Sequence, residues 1–320
     1  IPVALDVSSS LAEKLGPGSR VALRDSEGFM LAVLTVEDIW QPDKNREAEK
    51  VYNTTSDQHP GVRYLNESVH PVYISGSIEG IQSPVHYDFE SLWDTPEEMR
   101  ALFRKMGWRR VVSFQTSKPM HRLQREITLQ VAKDIQGHIL LHPTVGMTKP
   151  GDFDHYTRVR CHKLIGHHYP PDSHILNLLP LAMRMAGPRE ALLHAIIARN
   201  FGCTHFIVGH DHAGPGKDAK GRDYYRAEAA RQTAQELSDE IGIDIVSLNE
   251  MVYLPFEDEF RFSDHVPEGT QTISMSGTDI RSRIGSGKRI PAWITFPEVI
   301  AELRRSVPLP RRRGFTVFMT

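Results

Sequence analysis

Residues 111–126, VVSFQTSKPMHRLQRE, decide the fold, because they read as a buried strand passing through a short polar loop into a helix. Val111, Val112 and Phe114 supply the apolar run, and Pro119 suits a first helical turn, where its missing N–H costs nothing. A helix start just after a strand is where α/β proteins bind phosphate, since free N–H groups and the helix dipole both favour an anion. His121 and Gln124 come next at i, i+3, a spacing that lets both project from one face of that turn. The same residues are compatible with an ordinary helix start carrying a chance histidine.

Working outward, residues 86–262 alternate strands and helices. Helices are expected near 95–105, 120–134, 155–167 and 188–200, and strands near 111–115, 138–141, 174–179 and 204–208. That order predicts a mostly parallel sheet with helices on both faces and ligands at the carboxyl ends of its strands. Residues 1–85 have another texture. Short apolar runs at 20–23 and 29–36 flank a Ser26-Glu27-Gly28 turn, and His59-Pro60-Gly61 and Gly76 punctuate the later strands, so a small β-barrel is expected.

Composition limits the functional classes. The 320 residues exceed one typical domain. Lys plus Arg number 38 against 40 acidic residues, so the net charge of -2 gives no broad footprint for nucleic acid or an anionic membrane. Cys161 and Cys203 lie far apart and form no CxxC pair, which fits a reducing, cytoplasmic setting and argues against a disulfide framework. No apolar run approaches membrane-spanning length.

A second glycine-rich loop, Gly209-His210-Asp211-His212-Ala213-Gly214-Pro215-Gly216-Lys217, comes directly after the strand at 204–208. Its glycines allow close backbone approach to a ligand, but the spacing is not that of a Walker A loop. His210, Asp211 and His212 do not suggest a metal centre, because alternate residues of an extended segment point opposite ways and no third ligand is placed. Near the C-terminus, Ser276 or Thr278 can cap a helix starting at Asp279, with Arg281 or Arg283 near any phosphate bound there. A merely well-capped helix accounts for these residues equally well.

Together these segments resemble the ATP sulfurylases, or sulfate adenylyltransferases. The likeness rests on VALRDSEGFMLAVLTVEDIWQPDKNREAEKVY, LLHPTVGMTKPGD, MRMAGPREALLHAIIARNFGCTHFIVGHDHAGPGKDAKG and SGTDIRSRI, in that order. It implies a PUA-like β-barrel at 1–85, a Rossmann-like nucleotidyltransferase domain at 86–262 and a small α/β third domain at 263–308. Residues 309–320 resemble the linker and first strand of a fused APS kinase, so a bifunctional parent chain is expected. The resemblance further implies ATP and APS as nucleotides, Mg2+ carried by ATP with no protein-held metal, sulfate as co-substrate, and a homo-oligomer.

In that family a QxRNPxHxxH-like motif and a GRDHAG loop hold phosphates through two histidines and sulfate through two arginines. Carried over, the catalytic candidates are His121, Gln124 and Lys118, and the substrate-binding candidates are Gln115, Ser117, His210 and Ala213. Nucleotide binding falls to His121, Gly209, Asp211, His212, Gly214, Ser276 and Thr278. This chain departs from the pattern at four places: Ser117 and His210 replace the two arginines, Lys118 the asparagine and Gln124 the second histidine. Neither serine nor neutral histidine reproduces a guanidinium fork. Severely impaired sulfate adenylylation is therefore expected, with an oligomerising, regulatory or nucleotide-binding role for the domain; the other reading is an active sulfate adenylyltransferase.

Overall fold

The computed structural model describes residues 1–148, 152–248, 250–275 and 277–307, with Thr278 described by its backbone alone. Ser276, the side chain of Thr278 and the kinase-like segment at 309–320 thus lie outside the described residues. The chain forms two compact units: Ile1–Ser91 with Arg184–Leu193 and Asp211–Ala230, and Leu92–Met183 with His194–His210 and the described part of Arg231–Thr320.

The first unit is built on a four-stranded antiparallel sheet, β1 (Leu5–Val7), β2 (Arg20–Arg24), β3 (Met30–Trp40) and β4 (Val72–Gly80), in the order β1-β4-β3-β2. A short helix α1 (Ser9–Ala12) comes after β1. Val7, Leu34, Val36, Val72 and Ile74 bury one face. Register shifts at Leu23/Arg24 and Val36/Asp38 curl the sheet into a half-barrel whose edges are β1 and β2. Gly76 lies opposite the second shift, where a Cβ would sit 1.9 Å from the Thr35 carbonyl oxygen, so only glycine permits this approach of the two strands.

Helices α2 (Lys44–Tyr52) and α3 (Pro60–Glu67) come between β3 and β4. Asp43 caps α2 by accepting the Arg46 N–H at 3.0 Å. His59-Pro60-Gly61 does not break a strand, as the sequence suggests, but starts α3. Pro60 occupies the first helical turn, His59 is the cap, and Val62 and Leu65 face Ala48, Val51 and Tyr52.

The second unit carries a five-stranded parallel sheet. Its strands are β5 (Val111–Thr116), β6 (His138–Pro143), β7 (His174–Leu176), β8 (His205–Val208) and β9 (Asp244–Ser247), in the order β7-β6-β5-β8-β9. Ile139, Leu140, Leu141, Phe206, Ile207 and Val208 are buried consecutively, as strands covered on both faces require. Helix α4 (Pro96–Lys105), with a Thr95–Glu98 capping box, precedes the sheet; α5 (Arg122–Asp134) and α6 (His155–Gly166) connect the first three strands. Helix α7 (Pro188–Asn200) leads to β8, and α8 (Ala229–Glu236) and α9 (Ser238–Ile241) lead to β9.

The winding reverses at the centre. Strands β6 and β7 continue to one side of β5, whereas β8 and β9 lie on the other, so the crevice at the carboxyl ends of β5 and β8 is the topological switch point. Both polar loops singled out in the sequence leave the sheet there.

A small C-terminal α/β part completes the second unit: the hairpin β10 (Met251–Leu254) and β11 (Glu259–Phe262), then α10 (Gly277–Ser286) and α11 (Pro297–Ser306). Ile280, Ile284, Ile290, Ile294, Val299 and Leu303 share one core with Val112, Met120, Val131, Ile139, Leu141 and Ile165. By burial this segment is thus continuous with the sheet. Among the described residues no helix is long and apolar enough to cross a membrane.

Candidate functional site

The switch-point loop begins at Thr116, whose hydroxyl accepts the Lys118 N–H at 3.1 Å. Beneath it lies Arg158 of α6, only 3% exposed, whose Nη1 donates to the carbonyls of Ser117 (3.1 Å) and Thr144 (2.9 Å). One guanidinium therefore ties together the loops that leave β5 and β6. Burial holds the Arg158 pKa below its usual value, opposed by the nearby carboxylates of Asp152 and Asp154.

Helix α5 does not start at Pro119. Met120 is fully buried, and His121 is the cap, with extended backbone (φ -127°, ψ 176°). Gln124 returns its side-chain oxygen to the His121 N–H at 2.9 Å, and the Arg122 N–H is taken by the Ile294 carbonyl at 3.0 Å. His121 and Gln124 are thus bonded as a cap pair and do not stand side by side as two independent ligands.

His121 Nδ1 is buried and has no hydrogen-bond partner among the described residues. Burial lowers its pKa to about 4, so at neutral pH it is an uncharged donor or acceptor at a helix N-terminus. Behind it, His162 Nδ1 donates to the Arg158 carbonyl at 2.8 Å, and burial, Arg158 and His121 together keep His162 neutral.

The other candidates of the second unit differ in exposure. Gln115 is buried, with its amide nitrogen 3.5 Å from the His194 carbonyl, and Ser117 is half-buried. Lys118, Gly209 and His210 are exposed. Ser117, Lys118, Gly209 and His210 lie just past the ends of β5 and β8, strands that pair through Val112↔His205 and Ser113↔Phe206. Arg281 and Arg283 are engaged within the protein. Arg281 lies 3.5 Å from Asp152, and Arg283 donates to the Arg289 carbonyl at 2.9 Å. Thr278 is the second residue of α10.

The remainder of the second loop belongs to the first unit. Asp211 is exposed, and His212, Ala213 and Gly214 are half-buried. Ala213 takes a left-handed backbone (φ 54°), rare for a residue with a Cβ, and its carbonyl accepts the Gly187 N–H at 3.1 Å. A Cβ on Gly214 would lie 1.7 Å from Asp211 Oδ1, so the carboxylate occupies the space glycine leaves. Lys217 is paired with Asp223 at 3.2 Å. Under the reading proposed below, Gly214→Ala should turn Asp211 out of the loop and weaken nucleotide binding about tenfold, roughly the value of one charge-assisted hydrogen bond, with little change in Tm. Calorimetric titration and a melting curve on the same sample check this.

Residues that sequence reasoning gave no role are Arg158, His162 and the turn at 184–187. Nothing in the pattern marks a buried arginine. The turn does carry a signal in Gly187-Pro188 directly before α7.

Among the described residues no group of three or more His, Cys, Asp or Glu could hold a metal ion. The donors at the switch point are a helix start, a neutral imidazole, a hydroxyl and a lysine, a set suited to an oxyanion.

Comparison with known proteins agrees with this architecture. The ATP-sulfurylase family profile matches residues 90–306, and a PUA-like domain profile matches residues 1–83. The chain belongs to the ATP-sulfurylase family. It is 51% identical to a sulfate adenylyltransferase of Gibberella zeae and 48% identical to one of Coccidioides immitis, each over its whole length. It spans 56% of either relative. A solved structure, the hexameric APS kinase from Thiobacillus denitrificans, superposes with a TM-score of 0.78 at 33% identity, covering 98% of this chain and 54% of that one.

Proposed function

We propose that the domain binds ATP and catalyses sulfate adenylylation, in which a sulfate oxygen attacks the α-phosphorus in line and pyrophosphate leaves, giving adenosine 5'-phosphosulfate. The observation that carries this reading is the 51% identity to the Gibberella zeae sulfate adenylyltransferase, which covers the whole of this chain and 56% of that relative. The strand–loop–helix apparatus at the switch point supports it, because transfer of a phosphoryl centre depends mainly on positioning and on stabilising developing charge.

In this reading the α5 N-terminus and neutral His121 receive the phosphates, with Gly209, Asp211, His212 and Gly214 as further nucleotide contacts. Gln124 fixes His121 through the cap, and its amide N–H remains available to phosphate. Lys118, Ser117 and His210 meet sulfate, helped by Gln115 and Ala213, and Ser276 and Thr278 complete the nucleotide set. Mg2+ enters with ATP. An attached APS kinase that consumes the product, assembly into a homo-oligomer and a cytoplasmic setting belong to the same proposal. They are supported by the part-length match to longer relatives, the Thiobacillus denitrificans protein and the two unpaired cysteines.

A second reading has its own support in Ser117 and His210, which stand where the family has arginines. Loss of two oxyanion forks favours a domain that keeps nucleotide affinity and serves the kinase without turnover. The assay that decides is ATP formation from adenosine 5'-phosphosulfate and pyrophosphate with Mg2+, the favourable direction for this anhydride. Sustained turnover is expected. Tight nucleotide binding without turnover would establish the second reading instead.

A further inference from the structure

Within the first unit, the Arg184–Gly187 turn is held by an unusual set of partners. Met185 and Gly187 both have left-handed backbone, φ 59° and 49°, and Met185 carries a side chain that disfavours it. Such a conformation persists only when its surroundings over-determine it, and here they do. Glu190, fully buried, accepts the N–H groups of Arg184 (2.7 Å) and Ala186 (2.9 Å). The Tyr225 ring fills the space beside Gly187, where a Cβ would meet it at 2.5 Å, and the Tyr225 hydroxyl donates to the Met185 carbonyl at 3.1 Å.

The remaining partner comes from the PUA-like segment. His59 is fully buried; its Nδ1 accepts the Gly61 N–H at 3.0 Å, which fixes the tautomer and leaves Nε2–H to donate to the Met185 carbonyl at 3.1 Å. Burial lowers its pKa to about 4, so this tautomer is the resting state at neutral pH. From the turn, the Gly187 N–H donates to the carbonyl of Ala213, itself left-handed, in the glycine-rich loop.

We infer that His59 is a positioning residue for the nucleotide site: it holds the Met185–Gly187 turn in its strained form, and the turn in turn sets the Ala213–Gly214 loop. The PUA-like segment is then a working support of the glycine-rich loop. This rests on the reading that the glycine-rich loop binds nucleotide.

The two ring nitrogens can be tested separately, because asparagine places a polar atom near Nδ1 and glutamine places an amide nitrogen near Nε2. His59→Asn keeps the cap to Gly61 and loses the donor to Met185. His59→Gln keeps that donor and loses the cap, and His59→Phe loses both. Binding of ATP without turnover, measured by calorimetry, is expected to weaken about tenfold in the Asn and Phe variants and to stay near wild type in the Gln variant. Melting temperatures should take the other order, with Asn the least affected.

The proposal is overturned if all three variants bind ATP alike, or if the losses track melting temperature, as a purely structural histidine requires. Amide hydrogen exchange at Gly187 keeps the two readings separable. If wild-type protein binds no ATP, the nucleotide reading fails. Faster exchange at Gly187 in the Asn variant than in the Gln variant then still decides whether His59 holds the turn.

Discussion

Replacing Ser117 and His210 together by arginine should raise kcat/KM for sulfate by about 10²- to 10³-fold, roughly the worth of a pair of charge-assisted hydrogen bonds to the bound dianion. The backbone is prepared for such a side chain. Position 117 is held by the Arg158 guanidinium on its own carbonyl at 3.1 Å, and positions 117 and 210 lie just beyond strands that pair directly. A planar fork at each site would offer two parallel N–H donors, a geometry that neither a serine hydroxyl nor an imidazole ring reproduces.

The gains of the single variants need not multiply to that of the pair, since both act on one anion. Most of the change should fall in the sulfate KM, and the ATP KM should stay within a few-fold, because neither residue belongs to the α5 cap. Initial rates with sulfate varied at saturating ATP give the answer. No gain in the double variant, with ATP affinity intact, would mean that Lys118 and Gln124 limit turnover. Gln124→His in the arginine background would then be the variant that recovers it, at the cost of the bond to the His121 N–H.

The parallel sheet was readable because β5, β6 and β8 are short, mostly apolar runs between polar loops, and α4 is the helix expected near 95–105. Helix α3 was not, since His59-Pro60-Gly61 has the composition of a break, and its helical meaning depends on a cap that one buried imidazole makes. The α5 start falls two residues later than the 120 expected from the sequence, for a related reason. Met120 is drawn into the core, which leaves Pro119 in the loop and the cap to His121.

The hairpin β10–β11 and strand β9 are four residues each and carried no distinct pattern. At the site, the two polar loops at the ends of β5 and β8 could be picked out of the sequence, but what supports them could not. Arg158, His162 and the left-handed Met185 owe their roles to burial and backbone conformation, which residue type does not disclose.

Acidification should unfold the protein well above the range in which carboxylates protonate. His59, His121 and His162 are pushed down to about 4 and His142 to about 3, each with burial as the largest cause. For His142 the nearby Asn177 amide partly opposes burial, and His194 adds to it. The unfolded chain takes up protons at these positions near pH 6.5, and the folded chain does not until about pH 4. Between those limits the unfolded state binds more protons, so stability rises with pH and falls as the solution is acidified.

Each imidazole contributes a slope of at most about 1.4 kcal/mol per pH unit, and four acting together reach about 5. A domain with about 5–15 kcal/mol in reserve cannot lose that much for long. The carboxylates held low, Glu98, Asp154, Asp218 and Glu298, have ordinary values of 3.8–4.5 and contribute no loss until the pH falls through that range. Urea midpoints should therefore be nearly level from pH 8 to 7, drop steeply from 6.5 and vanish before pH 4.5. His142→Gln should remove close to one proton from the uptake on unfolding. A midpoint that stays level between pH 7 and 5 would show that these imidazoles accept protons in the folded state, and that the burial which keeps His121 neutral at the helix start is not maintained in solution.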